Sequence, residues 1–291
     1  MELPARPWPT GLVDQLEPLV RRVLAPNPSP YTYTGTETYL IGAGDEIAVI
    51  DPGPDEPAHL AALLAAIGPA RVAAICCTHT HRDHSPAAAP LAAATGAPII
   101  GCAPLVIETG DSARSDAPFD RTYAPDRILA DGESLTGPDW TLTAVATPGH
   151  TSNHLCYALE ESGALFTGDH VMGWSTSVVV PPDGDMAAYM ASLDKLHGRD
   201  DRVYYPAHGP QVDKPQQLTR GMIGHRRQRE RQILRLLEET PAAVAALVPQ
   251  MYKGLNPALW KAAGQSVLAH LIDLEQRGVV RREEETWTIL T

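Results

Sequence analysis

The sequence predicts an α+β protein, two mixed sheets with helices outside, followed by a small winged-helix-like tail. Three observations carry that reading. Strand-length apolar runs alternate with helical segments but also follow one another in meander stretches, which fits two mixed sheets with helices outside. The chain has 291 residues, 44% hydrophobic and 20% charged, enough for about two domains with packed cores. From about residue 215 the strand pattern gives way to helices closed by one short hairpin. The expected division is therefore a two-sheet body over 1–215 and a helical winged-helix-like domain over 216–291.

Residues 1–30 are Pro-rich and read as a surface wrap. Segments 36–42 (TETYLIG) and 46–51 (EIAVID) read as strands across a GAGD turn, and a helix opens after Pro57. RVAAICC over 71–77 is a buried strand, and THTHRDHS follows it directly. An Ala-rich helix is then expected, with Ser85 as its N-cap and Pro86 in its first position. APII over 97–100 is a further strand, and 108–126 reads as a long surface loop, a length that marks either a functional loop or a disordered one. WTLTAVATPGH, HLCYALE and ALFTGDH supply three more strands, DMAAYMASLDKLHG a helix, and RVYYPAHG the last strand of the body. A long helix over 215–239, two shorter ones and the wing VVRREEETWTIL complete the chain.

The formal charge is −12, which argues against a surface that coats nucleic acid. No apolar run approaches the ~18 residues of a membrane helix, and the start, MELPARPWPTGL, lacks an apolar signal core. The four cysteines, Cys76, Cys77, Cys102 and Cys156, have no zinc-knuckle spacing. They read as reduced buried thiols of a cytoplasmic protein.

There are eleven histidines, and they are not scattered evenly. His59, His197, His225 and His270 stand alone and read as surface or satisfied core residues. The run His79-Thr80-His81-Arg82-Asp83-His84 is different. His79 and His81 are two apart, so in an extended segment they point the same way, while Asp83 and His84 sit at the turn into a helix. Three imidazoles crowded together need a counter-charge or a cation. Three later strand ends repeat the pattern, in Thr147-Pro148-Gly149-His150, Gly168-Asp169 and Ala207-His208-Gly209. Five histidines and two aspartates at strand ends suffice for two metal ions.

THTHRDH, TPGHT, TGDH and PAHG, in this order and at these intervals, resemble the metallo-β-lactamase superfamily over roughly 30–215. GTETYLIG, LFTGDHVMGWSTSVV, YMASLDKL, YPAHGP and HRRQRERQI, followed by the tail, are similar to the β-lactamase-like protein 2 family over most of the chain. The resemblance implies a four-layer αββα sandwich with the site at one edge of its sheets. It implies that His79, His81 and His150 hold one metal, that Asp83, His84 and His208 hold the other, and that Asp169 bridges them. Two Zn2+ are the implied cofactors, with Mn2+ or Fe2+ as alternatives.

Two such ions roughly 3.5–4 Å apart can share one hydroxide at neutral pH, with the other oxygen-polarising role left to the second ion. Asp83 and Asp169 are the candidate catalytic carboxylates, orienting that nucleophile. The expected activity is hydrolysis of a small-molecule carbonyl ester, thioester, lactone or amide. The first alternative is an endoribonuclease acting on single-stranded RNA. The segment Arg220–Arg235 carries six arginines and one glutamate, although a solvated helix face explains it more simply. The second alternative is a binding module built on the tail. With five Lys/Arg against five Asp/Glu over 240–291, the tail lacks the charge for duplex DNA and reads as a lid or a homodimer surface. Antibiotic hydrolysis and oxygen-reducing diiron chemistry are disfavoured, by the missing leader and by an imidazole at position 81. Around the site, Trp174, Ser175 and Thr176 are expected near the rim. Trp174 and His154 stay open between pocket and core and His170 between function and packing, Arg82 reads as a solvated side chain ahead of a group that orients a carboxylate, and Tyr204 and Tyr205 read as core.

Overall fold

The computed structural model describes residues 9–105, 119–255 and 259–290. One sheet has seven strands, in the spatial order β1 (Val13–Glu17), β2 (Val20–Leu24), β3 (Glu37–Ile41), β4 (Glu46–Ile50), β5 (Arg71–Cys77), β6 (Ile99–Gly101) and β7 (Arg127–Ile128). The first four pair antiparallel, and β4 to β7 run parallel. The second sheet contains β8 (Ser134–Thr136), β9 (Thr141–Ala146), β10 (Leu155–Leu159), β11 (Ala164–Gly168) and β12 (Val203–Pro206), in spatial order from β12 to β8. Its β11–β12 pair is parallel and the others antiparallel.

Central strands such as β10 and β11 are buried along their whole length, which is why they read as continuous apolar runs rather than alternating ones. The two sheets face each other across a core in which the rings of Tyr39, Phe166 and Tyr205 lie 4.9–5.8 Å apart. Helices α1 (Pro57–Ile67) and α2 (Ala88–Thr95) cover the first sheet. Helix α3 (Met186–His197) covers the second, and its N-cap Asp185 accepts the amide of Ala188 at 2.7 Å. The layers are therefore α, β, β, α.

Helix α4 (Pro215–Glu239) spans roughly 37 Å. Met222 and Ile223 on its first half join the core under α3, while Ile233 and Leu237 on its second half join a separate core. That second core is the winged helix, made of β13 (Ala242–Ala243), α5 (Val244–Met251), α6 (Trp260–Gln276) and the wing strands β14 (Val280–Glu283) and β15 (Thr286–Ile289). The expected boundary at 215/216 thus falls at the head of a helix shared by both cores.

Two local expectations give way. The supposed surface wrap before residue 30 contains the β1–β2 hairpin, which forms the edge of the first sheet. Ser85 does not cap α2: its hydroxyl donates to Asp120 Oδ2 at 2.8 Å, and the helix starts at Ala88 after an Ala87 N-cap. Of the expected loop over 108–126, the part through 118 lies outside the described residues. All four cysteines are buried thiols, and no helix of the described residues is long and apolar enough to cross a membrane.

Candidate metal centre and active site

Strand ends position every side chain of the cluster. His79, His81, Asp83 and His84 follow β5, His150 follows β9, Asp169 follows β11 and His208 follows β12. The β5, β11 and β12 strands are members of parallel pairs, whose carboxyl ends are the usual place for a binding crevice. Backbone hydrogen bonds lock the ends of the two sheets together: Leu155 N–H donates to Thr78 O at 2.8 Å and Glu37 N–H to Ala207 O at 2.8 Å. The turn carrying His150 requires glycine. Gly149 has φ +135°, and a Cβ there would overlap the backbone of Tyr189 on α3.

The donor atoms fall into two groups. His79 Nε2 and His150 Nε2 lie 2.9 and 3.1 Å from His81 Nδ1. His208 Nε2 lies 3.1 Å from Asp83 Oδ2, and His84 Nε2 lies 3.4 Å from the same oxygen. Asp169 stands between the groups. Its Oδ2 is 3.5 Å from His150 Nε2, and its Oδ1 is 3.2 and 3.5 Å from His208 Nε2 and His84 Nε2. A tetrahedral ion with ligand bonds of about 2.0–2.1 Å sets its donors roughly 3.3 Å apart, so both groups have the spacing of a coordination shell. His84 Nε2 and Asp169 Oδ1 are buried without a hydrogen-bond partner among the described residues, as expected of atoms that serve a cation.

Outer hydrogen bonds aim the lone pairs. The Nδ1 atoms of His79, His84, His150 and His208 meet Thr78 Oγ1 at 3.0 Å, Asp51 Oδ2 at 3.0 Å, Val178 O at 2.6 Å and Gly35 O at 3.2 Å. The partners of His84, His150 and His208 can only accept. The Thr78 hydroxyl already donates to Asp51 Oδ2 at 2.8 Å, so it too accepts. Each ring therefore carries its proton on Nδ1 and turns a bare Nε2 inward.

The charges agree with this at His79 and differ at His84 and His208. Burial, then the neighbouring His84, His81 and His150, hold His79 well below the usual histidine range, and burial with His150 lowers His81 to about 3. Burial pushes the two carboxylates up, but His84 and His208 more than offset it and keep both Asp83 and Asp169 ionised. Burial likewise lowers His84 and His208, but Asp83 and Asp169 raise both above the ordinary value. His84 and His208 therefore favour a second proton, which a divalent ion held at their Nε2 atoms would displace, while His79 and His81 offer neutral nitrogens and Asp83 and Asp169 anionic oxygens.

All seven predicted residues thus converge. Their surroundings differ from expectation in several places. Asp51, after β4, was not predicted; it accepts Thr78 N–H at 2.7 Å as well as the Thr78 hydroxyl and His84. Its only signal is a strand-end Asp-Pro-Gly, the same kind of tight turn that carries the other ligands. His154 is buried behind the cluster. Its Nε2 accepts Asp169 N–H at 3.2 Å, and its ring stacks on His79 at 5.1 Å. His170 is buried against Tyr189, and neither ring nitrogen has a hydrogen-bond partner among the described residues. Trp174 stacks on Tyr33 at 4.9 Å, and the same segment instead turns Met172, Val178 and Val180 toward the site. Tyr204 and Tyr205 are both core residues.

The cluster opens into a cavity of about 680 Å3. Its walls come from the Asn27–Thr32 stretch, from Met172, Val178 and Val180, and from Lys261, Ala262 and Gln265 on α6. Helix α6 also contributes Ala269 to the core under α3, so the helix that would read DNA in a winged helix is packed on the body of the protein.

A mixed two-sheet sandwich with a His/Asp centre at its strand ends defines a metal-dependent hydrolase class. The chain belongs to the metallo-beta-lactamase superfamily, whose family model matches residues 32–208, and a beta-lactamase associated winged helix domain matches 243–287. A beta-lactamase-like protein 2 homolog from Drosophila melanogaster is 34% identical over 290 residues, 92% of each chain. An atrochrysone carboxyl ACP thioesterase from a Cryptosporiopsis species is 32% identical, over 83% of this chain and 70% of its own length. A beta-lactamase domain protein from Burkholderia ambifaria shares the fold at a TM-score of 0.80 and 20% identity, over 97% of this chain and 94% of its own.

Proposed function

We propose that the protein hydrolyses a small carbonyl ester, thioester, lactone or amide at a two-metal centre. In this reading His79, His81 and His150 hold one ion, Asp83, His84 and His208 hold the other, and Asp169 lies between them. The observation that carries it is the placement of Asp169, whose two oxygens face two separate groups of correctly oriented imidazoles. When bound, such a pair of ions supplies a nucleophile from water near neutral pH and a Lewis acid for the carbonyl oxygen. Zinc suits an imidazole-rich set, and manganese or ferrous iron can use the same donors.

The chain's own residues do the rest. The outer acceptors Asp51, Thr78, Val178 O and Gly35 O hold four imidazoles in one tautomer. Asp83 and Asp169, ionised and facing the cavity, accept a hydrogen bond from the attacking water and orient it. The apolar walls at Met172, Val178 and Val180 limit bulk water and raise the worth of each electrostatic contact. The thioesterase name of one relative favours a thioester within this class.

One observation favours cleavage of single-stranded RNA as a second reading. Arg220, Arg227, Arg231 and Arg235 are exposed on α4 and have no hydrogen-bond or ion-pair partner among the described residues. Ester, thioester, lactone and single-stranded RNA substrates are to be compared with metal-loaded and metal-stripped protein. Hydrolysis of a carbonyl substrate that needs metal and falls by orders of magnitude in Asp169→Ala supports the proposal. RNA cleavage lost in the same variant, with every carbonyl substrate inert, overturns it.

A further inference from the structure

The walls of the cavity leave little for a polar occupant to bind. Its charged lining residues balance, Asp83 and Asp169 against Arg82 and Lys261. The polar groups of the Asn27–Thr32 wall are already satisfied within the chain. Asn27 Nδ2 donates to Thr36 Oγ1 at 2.9 Å, and Asn27 Oδ1 accepts Thr36 N–H at 2.8 Å. The Thr32 hydroxyl donates to Asn27 O at 2.6 Å, and Ser29 Oγ accepts the amides of Tyr31 and Thr32 at 3.1 and 3.0 Å. What remains beside the cluster is largely apolar: Met172, Val178 and Val180 after β11, Ala262 on α6, and the ring of Tyr31, 59% exposed. These walls are held in place by the fold itself. Gly173 N–H donates to His208 O at 3.1 Å, Val180 O accepts Gly184 N–H at 2.8 Å, and α6 is anchored through Ala269 in the core under α3. At the ~30 Å3 that a water takes in the liquid, a cavity of about 680 Å3 has room for roughly twenty heavy atoms. An acetyl group would leave most of that space as water held against apolar side chains, which is unfavourable.

We propose that this cavity takes an uncharged apolar chain or ring carried by the substrate beside the scissile bond, and that Ala262 of the winged helix limits its length. This rests on the carbonyl-hydrolase reading and adds the substrate's apolar class and a role for the C-terminal domain. Each CH2 that reaches the wall raises kcat/KM by about fourfold, as long as the cavity holds it. Ala262 is the smallest side chain of the lining, so the space beside it is what a larger residue there would remove. With the apolar end held by α6 and the 172–180 segment, the carbonyl is delivered to the His/Asp cluster, and binding far from the reacting bond serves to position it. The winged helix is then part of the substrate site of its own chain.

The test uses the metal-loaded full chain and two series of uncharged thioesters, followed by thiol release. One lengthens the acyl group on N-acetylcysteamine, from acetyl through butanoyl and hexanoyl to octanoyl. The other keeps the acetyl group and lengthens the thiol, from ethanethiol to octanethiol. The expected result is a steep rise of kcat/KM along the acyl or the thiol series, which names the side of the bond that the cavity takes. Ala262→Phe should cut the ratio of longest to shortest substrate by about tenfold or more. Val180→Thr, which keeps the shape of a second wall and adds a hydroxyl, should cut it roughly two- to fivefold. Gln276→Phe, on an exposed residue of α6 that does not line the cavity, should keep the wild-type ratio. A flat profile in both series overturns the apolar pocket while leaving the hydrolase reading intact. So does a length preference that survives both wall variants, or one that Gln276→Phe lowers as much. No turnover of any thioester, with ester, lactone and amide equally inert, overturns both.

Discussion

Asp51→Asn isolates how the fold governs the metal centre, because it keeps the shape of a side chain that touches no proposed metal position. Asp51 Oδ1 accepts Thr78 N–H at 2.7 Å; Oδ2 accepts the Thr78 hydroxyl at 2.8 Å and His84 Nδ1 at 3.0 Å. Asparagine offers one oxygen and one NH2 group. With its oxygen at the Oδ2 position, the NH2 confronts the Thr78 amide. With its oxygen at Oδ1, the NH2 confronts His84 Nδ1, and the imidazole must move its proton to Nε2, the atom that faces Asp83 and Asp169. Either arrangement leaves a buried donor conflict worth about 1–3 kcal/mol. Loss of an outer partner of a ligating histidine typically costs 10–100-fold in metal affinity or activity. Metal content after dialysis against a graded chelator, together with melting of the metal-free protein, measures both effects. The expected outcome is a lowered Tm and preferential loss of one of the two ions. If the variant binds two ions as tightly as the wild type, the outer hydrogen bond does not set the tautomer and the reasoning fails.

Two further predictions come from the buried side chains between α4, α6 and the body. Arg226, 3% exposed, donates from Nη2 to Ser177 O, and the Ser177 hydroxyl donates to the carbonyls of Asp169 and His170. Arg226→Met should cost about 2–4 kcal/mol in a denaturant melt and broaden the visible spectrum of the cobalt-substituted protein; an unchanged cobalt spectrum would show that the 170–180 segment holds the ligands without it. His270 is buried, and burial followed by Arg226, His225, Arg277 and Arg229 lowers it to about 3. A histidine neutral in the fold but free to protonate when unfolded loses stability as pH falls from 6.5 toward 3, by about 1 kcal/mol at pH 5.5. His270→Leu should therefore flatten the fall in Tm between pH 7 and 5 in the metal-free protein, and an equal slope in both proteins would refute the assignment.

The parts of the fold legible in the sequence are those where local and tertiary preferences agree. Strand β5 and helix α4 fall at the predicted residues, because a buried parallel strand and a long amphipathic helix each carry a signal no neighbour contradicts. The β1–β2 hairpin was hidden because Arg21 and Arg22 interrupt its apolar pattern and prolines flank it. Those arginines are satisfied in the fold by Ala66 O and by Asp14 and Glu37, partners that only tertiary structure supplies. Ser85 had every mark of an N-cap, but Asp120, 35 residues away, takes its hydroxyl. A long-range hydrogen bond there outweighs a local capping preference of about 1 kcal/mol.

The same distinction governs the site. Seven ligand-type residues were legible because imidazoles and carboxylates at strand ends are chemically conspicuous wherever they lie. Their orienting partners were not, since Val178 O and Gly35 O are backbone carbonyls, which every residue has and no sequence pattern marks. The arginine run on α4 shows the converse. As a sequence it is one basic patch with a solvated face as its simplest explanation, but the helix sends its members to different fates. Arg226 is buried under the segment that follows Asp169, and Arg229 donates to Met251 O at 2.9 Å and lies over the Tyr252 ring at 4.3 Å. Arg220, Arg227, Arg231 and Arg235 remain in solvent. A charge count of such a segment therefore overstates its surface potential, and any weight given to phosphate binding belongs to those four side chains. Substituting them to glutamine should change salt-dependent RNA retention without altering thioester turnover; a loss of thioester turnover would place the stripe in the substrate path and join what are here two separate surfaces.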